Sequence, residues 1–291
     1  MNFSKVVFVT HLLISSFVLD TSAMIDIGVN LAHKRFNGKV DQVLRDAASA
    51  GVTGIIITGT SLGSSRKAID LIRRTQETYG ITLKCTVGVH PHSASDFVSN
   101  RGMEESLEAL VRANADIVVA IGETGLDYNR NFSPPNVQRM AFEKQMALAN
   151  KLQLPTFLHN RDAHDDFVAI LERFPNVPKC VHCHTDPIKA HLDAYIAMGA
   201  MIGQTGWITD ERRGTDLCKI VPHIPPNRLL IETDAPFLTP QNMPAYMHKR
   251  PSYNEPAYLP YVAQKLALLY GRTTKEVIDK TTENAKRFFK F

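Results

Sequence analysis

Residues 117–127 read Ile-Val-Val-Ala-Ile-Gly-Glu-Thr-Gly-Leu-Asp. A run of β-branched residues stops at Gly122, and the residues after it are polar and acidic. A short apolar run bounded in this way reads as a strand buried on both faces. The pattern recurs on either side, in Met24 to Asn30, Thr53 to Thr58, Thr82 to Val89, Pro155 to His159, Lys179 to Cys183, Ala200 to Gln204 and Leu229 to Glu232, which with Ile117 to Gly122 makes eight runs. Between them apolar residues return at helical spacing, as in Val40, Val43, Leu44, Ala47 and Ala48, or Ile188, His191, Leu192, Tyr195 and Ile196. These stripes read as core-facing and free of chemistry. Strands alternating with helices build a parallel sheet, and eight such units in about 250 residues match a single (β/α)8 barrel of the α/β class. Neither a dinucleotide fingerprint nor a P-loop argues for a doubly wound sheet. The proline-rich stretch from Pro236 to Pro260 reads as a long loop over the barrel mouth, followed by two closing helices.

Composition agrees. The chain has 291 residues, 44% hydrophobic and 21% charged, with a formal charge of +4. This excludes disorder, collagen and a disulfide-stapled miniprotein, and it is too little positive charge to coat nucleic acid by bulk electrostatics. A polyanion would have to be held at a local site. Residues 1–23 have a cation at Lys5, an apolar run from Val6 to Leu19 interrupted by His11, Ser15 and Ser16, and the small-residue ending Thr21-Ser22-Ala23. That is the pattern of a signal peptide cut after Ala23, with residues 24–291 as the domain and the product secreted. The alternative is a start at Met24 and a cytoplasmic protein. The run is too short for a stable membrane span. Cys85, Cys180, Cys183 and Cys218 read as buried free thiols.

In a (β/α)8 barrel the chemistry sits at the C-terminal ends of the strands. Polar residues collect there: Asp26 and Asn30 on the first strand, His90 and His92 after the third, Glu123 and Asp127 on the fourth, His159 to Asp162 after the fifth, His182 and His184 on the sixth, Glu232 to Asp234 on the eighth. Charged groups gathered in one mouth would each cost several kcal/mol unless a metal or counter-charge compensates them. Two imidazoles with two carboxylates make a hydrolytic metal set that leaves a position for water. Glu123, His159 and His182 are therefore assigned to the metal. Asp234 is assigned to the attacking water, as its base or as a further ligand. His90 and His92 are donors to a phosphate or carbonyl oxygen. Asp165 and Asp166 read as acidic residues at a helix start. His33, His191, His223 and His248 read as surface or structural, and whether His184 joins the ligand set beside His182 stays open.

The segments Asp26-Ile27-Gly28-Val29-Asn30, Gly88-Val89-His90-Pro91-His92, Ala120 to Asp127, His159-Asn160-Arg161-Asp162-Ala163-His164, Val181-His182-Cys183, Thr209 to Gly214, Leu230 to Pro236 and Asn254-Glu255-Pro256 together resemble the TatD-type metal-dependent deoxyribonucleases, in order and over nearly all of the chain from Met24. The resemblance implies a TIM-type barrel of the metal-dependent hydrolase kind. It also implies hydrolysis of DNA phosphodiesters, often as a 3′-to-5′ exonuclease. Magnesium is the metal usual in assays, and mixed nitrogen and oxygen donors also suit manganese or zinc. The family's ligand positions fall on Glu123, His159 and His182, with Asp234 as the further catalytic carboxylate. Members commonly carry D-x-H-x-H on the first strand for a second metal. Here Asp26 is kept, but the histidine positions are Gly28 and Asn30, so Asp26 and Asn30 stand as possible second-metal ligands and one or two metals per chain stay open. The usual Phe-Thr-Gly after the sixth-strand His-Cys is His184-Thr185-Asp186.

For a DNA substrate, Arg161, Arg212, Arg213, Lys249 and Arg250 are the loop cations for the backbone, and Trp207, Tyr246 and Tyr253 are aromatics for stacking on unpaired bases, which favours single strands or ends. No protein partner is implied. Two other readings compete: an amidohydrolase or deacylase on the same barrel, since activated water attacks carbonyl carbon as well as phosphorus, and a secreted nucleic-acid-binding protein with a decayed site.

Overall fold

A computed structural model describes residues 23–75, 78–244 and 253–291. The signal-peptide reading of residues 1–22 and the roles given to Tyr246, His248, Lys249 and Arg250 lie outside the described residues.

Eight parallel strands succeed one another around a single sheet in the order β1 to β8. They are β1 Met24–Val29, β2 Val52–Ile57, β3 Thr82–Val87, β4 Val118–Asp127, β5 Thr156–Arg161, β6 Lys179–Val181, β7 Met201–Gln204 and β8 Leu229–Ile231. Helix α1 (Val40–Ser49) comes after β1, α2 (Leu62–Thr75) after β2, and α3 (Ala94–Ser99) and α4 (Met103–Ala113) after β3. Then come α5 (Pro135–Leu152), α6 (His164–Glu172), α7 (Lys189–Ala197) and α8 (Thr215–Ile220) after β4 to β7, and α9 (Leu259–Tyr270) and α10 (Thr274–Phe289) after β8. The eight expected strands are thus present, within the barrel that the sequence predicts.

The ring is closed just beyond β8. Val29 bridges Ala235 in parallel, the Asn30 amide donates to the Ala235 carbonyl and the Asp234 amide to the Gly28 carbonyl. Asp26 reinforces the seam, accepting from the Thr233 amide at 2.9 Å and the Thr233 hydroxyl at 2.6 Å. Both its oxygens accept hydrogen bonds there, so the carboxylate read as a possible second-metal ligand holds the barrel seam in this structure. With Asp26 fully buried, desolvation pushes its carboxyl up to about 8 against the opposing Thr233 bonds.

Inside the barrel, Ile25, Ile27, Ile56, Phe157, Cys180, Met201 and Leu230 pack with Ala285 and Phe289 of α10. The C-terminal helix therefore fills one end of the interior. Its start is set by a capping box, Thr273 with Glu276. The apolar filling reaches up to Phe157, whose ring stacks on His182 with centroids 4.4 Å apart. Above that level the mouth is polar.

Strand ends shift by one or two residues from the sequence reading, as where β6 stops at Val181, and two elements differ by more. Strand β4 runs on to Asp127 instead of stopping at Gly122, because Gly122 and Gly125 adopt φ of +145° and +137°, open to glycine alone. Along β5 the pairing steps from Gly122 with Phe157 to Thr124 with Leu158, so Glu123 is the extra residue of a bulge. In α7, Leu192 and Tyr195 face the core as expected, but Ile188 is 50% exposed and His191 faces a cavity rather than the core.

Phe289→Ala should lower unfolding stability by about 3–5 kcal/mol, the range for truncating a buried aromatic, as read from urea denaturation. Phe288→Ala, beside it on the same helix but only partly buried, should lower it less.

Candidate metal centre

The bulge in β4 turns Glu123 into the barrel mouth, and three imidazoles meet one of its oxygens. From Glu123 Oε1, His182 Nε2 lies at 2.9 Å, His159 Nδ1 at 3.0 Å and His90 Nε2 at 3.2 Å. The histidines come from the ends of β6, β5 and β3, so three crossovers bring them to one point. Burial pushes the Glu123 carboxyl up, but His182, His90 and His159 outweigh it and hold the group well below the carboxylate range. Burial alone would lower His159 and His182; the neighbouring carboxylates reverse this, and His182 stands well above the usual imidazole range. For His90 burial prevails and the imidazole is lowered.

A second tier holds this group in place. Asp127 accepts from His92 Nε2 at 2.7 Å and lies 3.6 Å from His159 Nε2. Glu232, with no exposed surface, lies 3.4 Å from His182 Nδ1 and accepts from the Cys183 amide at 2.6 Å. Asp234 faces the same cavity, its Oδ1 accepting from Asn30 Nδ2 at 2.9 Å. Burial, with Glu123 and Glu232 adding to it against His182, pushes the Asp234 carboxyl up to about 7. Two buried glutamines of α5 clamp the backbone. Gln138 bonds both the amide and the carbonyl of Asp127, and Gln145 does the same for Val89. The cavity has a volume of about 400 Å³ and is lined by Asn30, His33, His90, His92, Glu123, His159, His182, Asp234 and Phe237, among others.

The fold therefore brings together Glu123, His159, His182, Asp234, His90, His92 and Asn30. It does not bring Asp26, which sits in the barrel seam. Arg161 and Arg213 lie on Trp207, their guanidinium carbons 5.9 and 4.2 Å from the ring centroid, and Arg213 also pairs with Asp210. Arg212 is exposed in the same loop. Tyr253 is 9% exposed and packs edge-on against Phe36, so it is core and not a stacking platform. The exposed rings near the site are Phe132, against His92, and Phe237, against His33. His33 thus lines the cavity, whereas His223 is exposed, as expected. His184 lies apart from Glu123, packed edge-on against Tyr195. The four cysteines are free, Cys85 and Cys180 buried and Cys183 and Cys218 partly so. Sequence reasoning assigned no role to Asp127, Glu232, Gln138 or Gln145. Their only signal is a polar residue inside an otherwise apolar strand end or helix face.

A model of the family described as TatD related DNase matches residues 25–290. The chain is 45% identical over 270 residues to a protein of Erwinia amylovora named 3′-5′ ssDNA/RNA exonuclease TatD, covering 91% of this chain and 99% of that one. The protein of the same name from Salmonella typhimurium is 42% identical over 269 residues, covering 91% and 98%. The crystal structure of a TatD family hydrolase from Entamoeba histolytica superposes with a TM-score of 0.82 at 27% identity, covering 91% of this chain and 97% of that one.

The structure also supplies a reason for glycine at position 28. A Cβ there would collide with Glu232 Oε2, and one at Gly203 would meet Glu232 Oε1. The carboxylate lies between two glycines, in space that a histidine at position 28 would need. Gly28→Ala should accordingly destabilise the fold by about 1–3 kcal/mol through overpacking. Urea unfolding checks this, and a variant as stable as the parent would show that Glu232 is free to move.

Proposed function

The chain belongs to the TatD related DNase family and is a hydrolase of nucleic-acid phosphodiester bonds, and we propose that it removes nucleotides stepwise from the 3′ ends of single-stranded DNA, and of RNA as the names of its relatives suggest. The observation that carries the reading is the convergence of three imidazole nitrogens within 3.2 Å of one Glu123 oxygen. Such a set of nitrogen and oxygen donors fits a divalent ion. Glu123, His159 and His182 would hold it, with Asp234 as a further carboxylate and His90 beside them as an additional donor. Magnesium is the ion for assay, with manganese or zinc as alternatives. Bound there, the ion would polarise a non-bridging phosphate oxygen and lower the pKa of water.

The remaining work falls to side chains. Asp234, steadied by Asn30 and with its carboxyl near 7, takes the proton of the attacking water. His92, oriented by Asp127, donates to a phosphate oxygen and stabilises the charge that builds there. Phe132 and Phe237 flank the cavity as stacking surfaces for unpaired bases, and Arg161 offers backbone charge at the end of β5.

The full chain, given 5′-end-labelled single- and double-stranded DNA and single-stranded RNA with magnesium, should produce a stepwise ladder fastest on single strands. EDTA and Glu123→Ala should each abolish it, and Asp234→Asn should lower kcat about 10²–10⁴-fold. Cleavage that survives either EDTA or Glu123→Ala would sink the assignment. A folded protein inert with magnesium, manganese and zinc would return the deacylase reading.

A further inference from the structure

A cavity of about 510 Å³ opens between the loop after β5 and the segment joining β6 to α7, and it shares no lining residue with the Glu123 cavity. His164, Asp186 and His191 line it, each offering a donor atom, with those atoms all within 4.8 Å of one another. The rings of His164 and His191 stack at 3.5 Å between centroids and 10° between planes. His191 Nδ1 lies 2.6 Å from Asp186 Oδ2, and Asp186 Oδ1 accepts from the Ile188 amide. His164 Nδ1 lies 2.8 Å from the Tyr195 hydroxyl, which also takes Asn160 Nδ2 at 2.7 Å. Behind Tyr195 sits buried His184, neither of whose ring nitrogens has a partner.

We propose that His164, Asp186 and His191 form a second cation site, separate from the catalytic centre, that takes a transition-metal dication of the zinc class. Two imidazoles and one carboxylate are a donor set that prefers zinc, nickel or copper to magnesium, and three protein donors leave coordination positions for water. Tyr195 and Asn160 hold the His164 ring as an outer partner orients a ligating imidazole. A cation entering between Asp186 and His191 displaces the proton these two share, so binding releases a proton. The donors come from three elements, α6, the loop after β6, and α7. An ion there would brace the chain just past His159 and just past His182. Asp186 stands where the related pattern has glycine, so the site belongs to this chain's own departure from that pattern.

The test is metal counting on the full chain, stripped with chelator, dialysed, and loaded with zinc alone; cobalt serves as the spectroscopic probe. The parent should hold one more equivalent of zinc than His191→Gln or His164→Ala. It should also show a cobalt ligand-field band that both variants lose, while magnesium-dependent nuclease activity is unchanged in His191→Gln. Glu123→Ala should lose a different equivalent and keep this one, so a failure of the catalytic assignment stays distinct from a failure here. Equal zinc stoichiometry in the parent and in either folded variant would overturn the proposal. So would a cobalt spectrum altered only by Glu123→Ala.

Discussion

A carboxylate with almost no access to water is tolerated at Glu123 because three imidazole nitrogens point at one of its oxygens. Desolvating an unpaired charge costs several kcal/mol, and the attraction of its neighbours offsets this only where geometry is good. Much of the local architecture supplies that geometry. The glycines at 122 and 125 let β4 bulge so that Glu123 turns inward. The strand ends of β3, β5 and β6 bring the histidines, and the glutamines of α5 hold the backbone on both sides.

The charges are arranged as a layer and not as isolated pairs. Asp127 stands beside His92 and His159, Glu232 beside His182, and Asp234 opposite Asn30. Carboxylates and imidazoles thus lie side by side across the mouth, which holds the Glu123 and Asp127 carboxyls low while burial pushes Asp234 up to about 7. Like groups in unlike surroundings thus favour different protonation states within one site. Below this layer Phe157 and the plug from α10 close the barrel to water, so the polar groups meet solvent from one side only.

The seam between β1 and β8 connects fold and site. Asp26 holds Thr233 through two bonds, and Thr233 is flanked by Glu232 and Asp234. A carboxylate spent on closing the ring is thereby what sets the two site carboxylates of the last strand in place. Glu232 in turn reaches under His182 into the space left by Gly28 and Gly203. The first strand and the last therefore share one design: glycine on one side makes room for an acid on the other.

The barrel was legible in the sequence because a buried parallel strand must be apolar on both faces, and eight such runs separated by helical periodicity admit few other arrangements. The mouth was legible in outline for the same reason: polar residues where apolar runs end gather at the strands' C-terminal ends, and the donor chemistry of a metal set picked Glu123, His159, His182 and Asp234 from among them. What a chain cannot show is which of two nearby acids spends its oxygens on the backbone. Asp26 and Asp234 each sit on or beside a buried strand in the sequence, yet one closes the barrel and the other faces the cavity. Likewise Tyr253 read as a stacking aromatic, and packing against Phe36 buries it. His191 lay on what read as a core stripe and faces a cavity instead. These choices depend on contacts between residues far apart in the chain, where distances of a fraction of an ångström decide burial and partner. Hydrophobic periodicity thus determined the barrel and the end at which its polar residues gather, and tertiary packing decided which of them face the cavity and which hold the ring closed.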